Sequence, residues 1–296
     1  MLHQKKVKSV LNKHKKRDDW FLDEYSINPY EGCSCNCLYC YVRGSRYGEN
    51  MEDTLAVKTN ALEVLEKQLA ARAKKKQHGF VTVGSATDAY IHHEAGLKMT
   101  EGMLRLLLKY RFPVFISTKC LLIRRDIDLL KEINEQAILP ADLDGKLPGG
   151  VILSVSLSTL DEKIAGLLEP GAAPPANRLQ LLTELKQAGF LAGVNAIPLL
   201  PFISDTEEEM EKIAIAAKIA GADYWLTGGL TLFGKDPADS KTLFYHFLRR
   251  YDPSLLPKYE ALYGNNLYTS FAYQQALRER AGILSRKHGL RNSILQ

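Results

Sequence analysis

Short apolar runs alternate with longer amphipathic ones along this chain, and the alternation predicts its architecture. Stretches rich in β-branched or aromatic residues lie at 24–28, 80–84 (Phe-Val-Thr-Val-Gly), 113–117 (Pro-Val-Phe-Ile-Ser), 151–157, 190–197 and 223–227. They are too short for helices and carry strand-forming side chains. Between them, helical periodicity runs over 59–75, 95–110, 126–137, 176–188 and 205–220. Boundary residues agree: Gly189 follows Leu185-Lys-Gln-Ala, and Asp205-Thr-Glu-Glu-Glu places acids in the first turn of the next helix. Strand–helix alternation on this scale predicts a parallel sheet with helices outside it. Periodicity leaves a doubly wound sheet and a barrel equally open. Beyond Gly234 the pattern changes to two short helices, 240–251 and 253–263, and a longer basic one, 268–287.

Composition adds scale. The chain has 296 residues, 46% hydrophobic and 25% charged, enough for one large core. No segment approaches a membrane span, and the first residues hold no apolar stretch of signal-peptide length. A cytoplasmic location with reduced cysteines is therefore expected. The net charge of +5 is uneven: residues 1–17 carry seven Lys or Arg and no acid. Such a run reads either as a nucleic-acid-binding arm or as a solvated leader. The expected division is a basic leader at 1–20, a core at 21–235, and a helical extension at 236–296 that caps the core.

Chemistry is concentrated in eight residues, Cys33-Ser-Cys-Asn-Cys37-Leu-Tyr-Cys40, which hold four of the chain's five cysteines. Within them Cys33, Cys37 and Cys40 form a C-x3-C-x2-C triplet. Thiolates crowded this tightly read as a site for iron or zinc. With Cys35 included, four thiolates could close around zinc, although drawing four ligands from eight residues strains the chain. A disulfide fits less well in a reducing compartment. Three cysteines on a [4Fe-4S] cluster would leave one iron free for another ligand.

The triplet, with the aromatic Tyr39 before its last cysteine, resembles the signature of the radical S-adenosylmethionine (SAM) superfamily. That resemblance implies a [4Fe-4S] cluster, SAM chelated at its open iron, and a one-electron donor such as flavodoxin or ferredoxin. It implies reductive SAM cleavage to a 5′-deoxyadenosyl radical that abstracts hydrogen from substrate. It also selects the fold: an α/β, partial (β/α)6 TIM-like barrel with the cluster loop after the first strand and a C-terminal helical extension. Further segments resemble the spore photoproduct lyase-related branch: Asn28-Pro-Tyr-Glu-Gly-Cys33, Gly84-Ser-Ala-Thr-Asp88, Thr118-Lys119, Arg125-Asp126-Ile-Asp128, Leu168-Glu-Pro170 through Asn177-Arg178-Leu179, and Pro198-Leu-Leu-Pro201.

In a parallel barrel, chemistry collects at the carboxyl ends of the strands. There the resemblance implies that Thr87 and Asp88 receive the SAM ammonium and that Lys119 receives its carboxylate. Asp88 or Thr87 reads equally well as a helix cap. Ser154, Ser156 and Ser158 alternate along the fourth strand and share one face, so Ser156 is a candidate pocket hydroxyl. Asn195 is a candidate contact to the SAM ribose. His92 and His93 read as loop residues. Glu169, Arg178 and Asp161 read either as a charged cluster lining the pocket or, more simply, as an ordinary loop before a helix.

One departure limits the substrate. Spore photoproduct lyases carry a hydrogen-donating cysteine in the second-strand turn, where this chain has Ser85. An O–H bond is a poor hydrogen-atom donor, and Cys120, at another strand end, is the alternative. Repair of the spore photoproduct itself is thus not the expected activity; DNA photolyase- or repair-like chemistry on a different substrate is. In the extension, Tyr245, His246, Arg249, Arg250, Arg278, Arg280, Arg286 and Lys287 could track phosphates, with Tyr268 and Tyr273 stacking on bases, or the tyrosines could pack against the barrel. Nucleic acid is the favoured substrate class, a peptide or small molecule the alternative, and a zinc-bearing nucleic-acid-binding protein the third reading.

Overall fold

A computed structural model describes residues 2–45 and 55–295; Met1 of the leader and Gln296 of the extension lie outside them. Six parallel strands form the centre: Asp23–Ile27, Phe80–Val83, Val114–Thr118, Val151–Ser156, Leu191–Leu199 and Trp225–Gly229. They are ordered first to sixth across one sheet. Among the described residues no strand pairing joins the sixth back to the first, so the barrel is partial.

Alternation along these strands divides the molecule. Val81, Val83, Val114, Ile116, Leu153, Val155, Val194 and Ala196 belong to the large core shared with the helices. Phe80, Phe115, Ile152, Leu191, Tyr224 and Leu226 form a second apolar cluster. Burying each such large side chain contributes about 1.5–3 kcal/mol. Towards the carboxyl ends the face that carries Phe115 and Ile152 turns polar, with Ser117, Ser154, Ser156 and Asn195. Register aligns them: Ser117 pairs with Ser154, and Ser156 with Asn195.

Helices Ala61–Lys74, Met99–Lys109, Ile127–Gln136, Pro175–Gln187 and Glu207–Ile219 follow the predicted pattern. The 95–110 segment differs. Lys98 adopts a left-handed conformation (φ 53°) that separates a short turn, Glu94–Leu97, from Met99–Lys109. The buried Glu94 carboxylate explains the break, because it accepts from Thr100 N at 2.9 Å and Glu101 N at 3.2 Å and so caps the second helix. Periodicity also missed the helix Glu162–Leu168. Asp161 is its cap, accepting from Lys163 N and Ile164 N at 2.8 and 2.9 Å. Asp161 is therefore committed to that helix and stands apart from the charged cluster described below.

The basic leader is neither a free arm nor merely solvated. His3–Lys5 pairs with Ala56–Lys58 in a small three-stranded sheet, and Asn12–Lys13 adds antiparallel to the first core strand. Val10 and Leu11 are buried, and both backbone amides donate to Gln68 Oε1, at 3.0 and 2.9 Å. Phe21 stacks on Phe115 at 4.8 Å, and a Cβ placed on Gly228 of the sixth strand would lie 3.3 Å from the Trp20 ring. The leader thus crosses from the first-strand edge to the sixth strand. Charge patterning does not show this, because Leu2, Val7, Val10 and Leu11 of the leader pack on the core, and Trp20 with the adjoining Phe21 reaches the sheet.

The extension forms helices Ser240–Tyr251, Leu256–Tyr263 and Phe271–His288. The last is fixed to the sixth strand by Trp225 Nε1, which donates to Ser285 Oγ at 2.5 Å. No helix among the described residues is long and apolar enough to cross a membrane.

Candidate active site

The loop after the first strand begins at Gly32, whose φ of 73° suits glycine. Its shape is set by backbone bonds within and beyond it. Asn36 N donates to Cys33 O (3.3 Å), Cys40 N to Cys37 O (3.2 Å), and Leu38 N to Leu168 O (2.8 Å). The buried Arg43 clamps it from behind, donating to Cys37 O at 3.1 Å, to Ala238 O at 3.2 Å and to Asn36 Oδ1. Gly171 lies against its front: Gly171 N donates to Cys35 O at 3.1 Å, and a Cβ there would fall 1.8 Å from Ser34 O. Gly171→Ala is therefore expected to displace the loop and lower the iron content of reconstituted protein well below wild type, as iron analysis would show. Normal iron content would mean that the loop yields more readily than this contact implies.

Cys33 Sγ accepts from Asp88 N at 3.3 Å. Asp88 itself is a brace. Oδ1 accepts from Tyr90 N and Thr118 Oγ1, both at 2.8 Å, and Oδ2 from Lys119 N at 2.8 Å, with the Cys35 thiol at 3.8 Å. Its carboxylate thus ties the second-strand turn to the third-strand end. Asp88, expected to receive the SAM ammonium, therefore already accepts three hydrogen bonds from the protein. Thr87 Oγ1 donates to Gly32 O at 2.5 Å, and Ser85 Oγ accepts from Asn28 Nδ2 at 2.9 Å.

A buried charged network lies beside the loop. The segment is a loop leading into the helix Pro175–Gln187, yet Glu169 and Arg178 are only 3% and 1% exposed, so both charged side chains turn inward. Arg178 donates to Glu169, to Ser156 O at 2.8 Å and to Ala173 O at 2.6 Å. The Tyr39 hydroxyl donates to Glu169 and sits 2.9 Å from Ser158 Oγ. Lys119 Nζ donates to Ser156 Oγ at 2.6 Å and stands 4.0 Å from Glu169. Burial works against the lysine's charge, but Glu169 and the nearby thiols outweigh it and raise its pKa. The sequence offered one faint signal here, a carboxylate directly after the apolar Leu167-Leu168.

Asn195 Nδ2 donates to Ser117 Oγ at 3.1 Å, while its Oδ1 is buried with no partner among the described residues. Such an orphan acceptor marks a place where a ligand donor fits. Burial pushes the thiols of Cys37 and Cys40 above the ordinary range. Bound metal reverses that preference, since a coordinated thiol is deprotonated outright. The donor set therefore fits a soft, thiophilic iron centre beside a polar pocket.

In the extension, three predicted nucleic-acid contacts already have protein partners. The Tyr273 hydroxyl donates to the Asp205 carboxylate, and Arg280 donates to Asp205 O. Lys287 pairs with Glu211. Arg249, Arg250, Arg278, Arg286 and Tyr268 remain exposed.

A partial parallel barrel with clustered thiols at its carboxyl mouth defines a cofactor-dependent α/β enzyme. Residues 27–217 match the family model described as the radical SAM superfamily, and the chain belongs to that superfamily. It is a radical SAM enzyme, and the family's [4Fe-4S] cluster and SAM are its cofactors. It is 30% identical over 273 residues to the uncharacterized protein Rv2578c of Mycobacterium tuberculosis, covering 90% of this chain and 75% of that one. It is 29% identical over 217 residues to uncharacterized protein ORF301 of Acidianus two-tailed virus, covering 68% and 65%. Among solved structures, a spore photoproduct lyase mutant with bound AdoMet and dinucleoside spore photoproduct shares the fold. Its TM-score is 0.64 at 15% identity, over 92% of this chain and 76% of that one.

Proposed function

We propose that Cys33, Cys37 and Cys40 hold the cluster, that Tyr39, Thr87, Lys119, Ser156 and Asn195 line the SAM site, and that the substrate is a nucleic acid. When bound, the two cofactors supply a 5′-deoxyadenosyl radical that abstracts hydrogen from the substrate. Lys119 offers a preformed cation to the methionine carboxylate, held in place by Ser156 and balanced by Glu169. The unpartnered Asn195 Oδ1 accepts from a ribose hydroxyl. Asp88 positions Lys119 and Cys33 through backbone and thiol rather than touching SAM. Tyr39 closes the pocket wall through Glu169. The observation that supports the reading is the closeness of Cys37 and Cys40 to the Lys119 charge, with the orphan acceptor on the strand next to Ser156.

The test is anaerobic reconstitution with iron and sulfide, dithionite reduction, and chromatography for 5′-deoxyadenosine from SAM. Stable bound zinc with no cleavage would sink the reading.

Substrate class rests on the exposed arginines of the extension and Tyr268. A gel shift with single-stranded oligonucleotides is expected to show binding at low salt that weakens steeply as salt rises, because phosphate contacts release counterions. No binding at low salt would leave the same chemistry acting on a peptide or small molecule. With Ser85 in the second-strand turn, Cys120 is the better hydrogen-atom donor, and a lesion other than spore photoproduct is the expected target. Full, SAM-regenerating repair of a spore-photoproduct dinucleotide would overturn that assignment.

A further inference from the structure

Two thiols at the mouth lie outside the triplet proposed to hold the cluster. Cys35, inside the cluster loop, and Cys120, just past the third core strand, bring their Sγ atoms to 3.5 Å. Their sequence separation is 85 residues, so only the tertiary fold makes them neighbours. Asp88 reaches both, with the two sulfurs and a carboxylate oxygen all within 4.8 Å of one another. That carboxylate is already occupied by Tyr90 N, Thr118 Oγ1 and Lys119 N, so the group is poorly placed to ligate a metal. What remains is the Cys35–Cys120 thiol pair, with the Cys33 thiol on the other side of Cys35. Its members differ in access, since Cys35 is buried and Cys120 is partly exposed.

We propose that Cys35 and Cys120 form a thiol–disulfide exchange site, reacting with small-molecule disulfides of the glutathione type. Cys120, the accessible member, attacks one sulfur of glutathione disulfide, forming a mixed disulfide and releasing one glutathione thiol. Cys35 then attacks Cys120 Sγ, expelling the second glutathione and closing the Cys35–Cys120 bond. Two protein thiols are oxidised, one glutathione disulfide is reduced, and both protons leave on the two glutathione thiols. The sulfurs need to approach by about 1.5 Å to reach the bond length of about 2.0 Å. Closure ties the middle of the cluster loop to the strand end that carries Lys119. The oxidised form thereby has its cofactor loop locked, and reduction by a dithiol frees it.

The inference rests on the radical SAM reading only in that the cluster spares Cys35 by occupying Cys33, Cys37 and Cys40. The experiment separates the two. Anaerobic holoenzyme, its cluster verified by visible absorbance, is incubated with glutathione disulfide, blocked with N-ethylmaleimide, digested with trypsin and analysed unreduced. Tryptic peptides 18–43 and 120–124 carry all five cysteines between them. The expected product joins these peptides, with fragmentation placing the bond at Cys35 and absorbance unchanged. Cys35→Ala should instead stop at glutathionylated Cys120, and Cys120→Ala should give neither product. With the cluster intact, maleimide on both cysteines, a persistent glutathione adduct in wild type, or a linked product surviving in Cys35→Ala would each overturn the proposal. Failure to load a cluster, with cross-links scattered over Cys33, Cys37 and Cys40, would count against the cluster assignment and the sparing of Cys35 together.

Discussion

Cys37→Ala is expected to reduce 5′-deoxyadenosine formation to the level of a protein-free blank and to abolish stable iron loading. Cys37 is buried, and its backbone oxygen is held by Arg43. No other thiol can reach its place without breaking that clamp. Cys33→Ala and Cys40→Ala should behave alike, because a three-thiolate set has no spare member. Cys35→Ala is the informative control: its sulfur faces Cys120, Asp88 and the Cys33 thiol, and with only three thiolates assigned to the cluster, iron content and SAM cleavage should stay near wild type. Paired iron analysis and product chromatography on the four variants checks the assignment. If Cys35→Ala failed as completely as Cys37→Ala, four thiolates would share the metal and a closed site would replace the open one.

The second large effect is on stability. Glu169→Ala leaves the Arg178 guanidinium buried without its carboxylate, and Lys119 loses its nearest counter-charge. Removing one partner of a buried pair costs about 3–5 kcal/mol. At about 2 °C per kcal/mol for a chain of this size, the melting temperature should fall by about 6–10 °C. SAM affinity should fall as well, because Tyr39 and Lys119 both lose a partner. The double variant Glu169→Gln, Arg178→Met leaves no unpaired guanidinium and should recover much of the melting temperature. It should recover little of the SAM affinity, since Lys119 is still unbalanced. Calorimetry with SAM titration distinguishes the outcomes, and equal recovery of both would reduce the network to a packing role.

Local periodicity made most of the barrel legible. The six core strands lie within a residue or two of the runs that announced them, because each strand's alternation is set by its own side chains. The Lys98 break was not legible, since it depends on Glu94 capping a helix that begins five residues later. The leader was misjudged for a similar reason. Seven basic residues dominate its composition, yet Leu2, Val7, Val10 and Leu11 pack on the core, and Trp20 with the adjoining Phe21 reaches the sheet.

The candidate site divides the same way. Spacing confined the candidate thiolates to one loop, where they are necessarily close in space, and the family resemblance singled out Cys33, Cys37 and Cys40 among them. Lys119, Ser156 and Asn195 were nameable as strand-end residues of a parallel barrel. Asp88 as a brace, the Glu169–Arg178–Tyr39 network, and the Cys35–Cys120 pair were decided only by the tertiary structure. Each joins segments separated by tens of residues, and whether a carboxylate is free or already satisfied depends on donors that arrive from other strands. The chain by itself determined which loop carries thiolate chemistry and which strands surround it. Folding decided which polar groups remain available to a ligand, because that depends on hydrogen bonds between residues that sequence spacing does not relate.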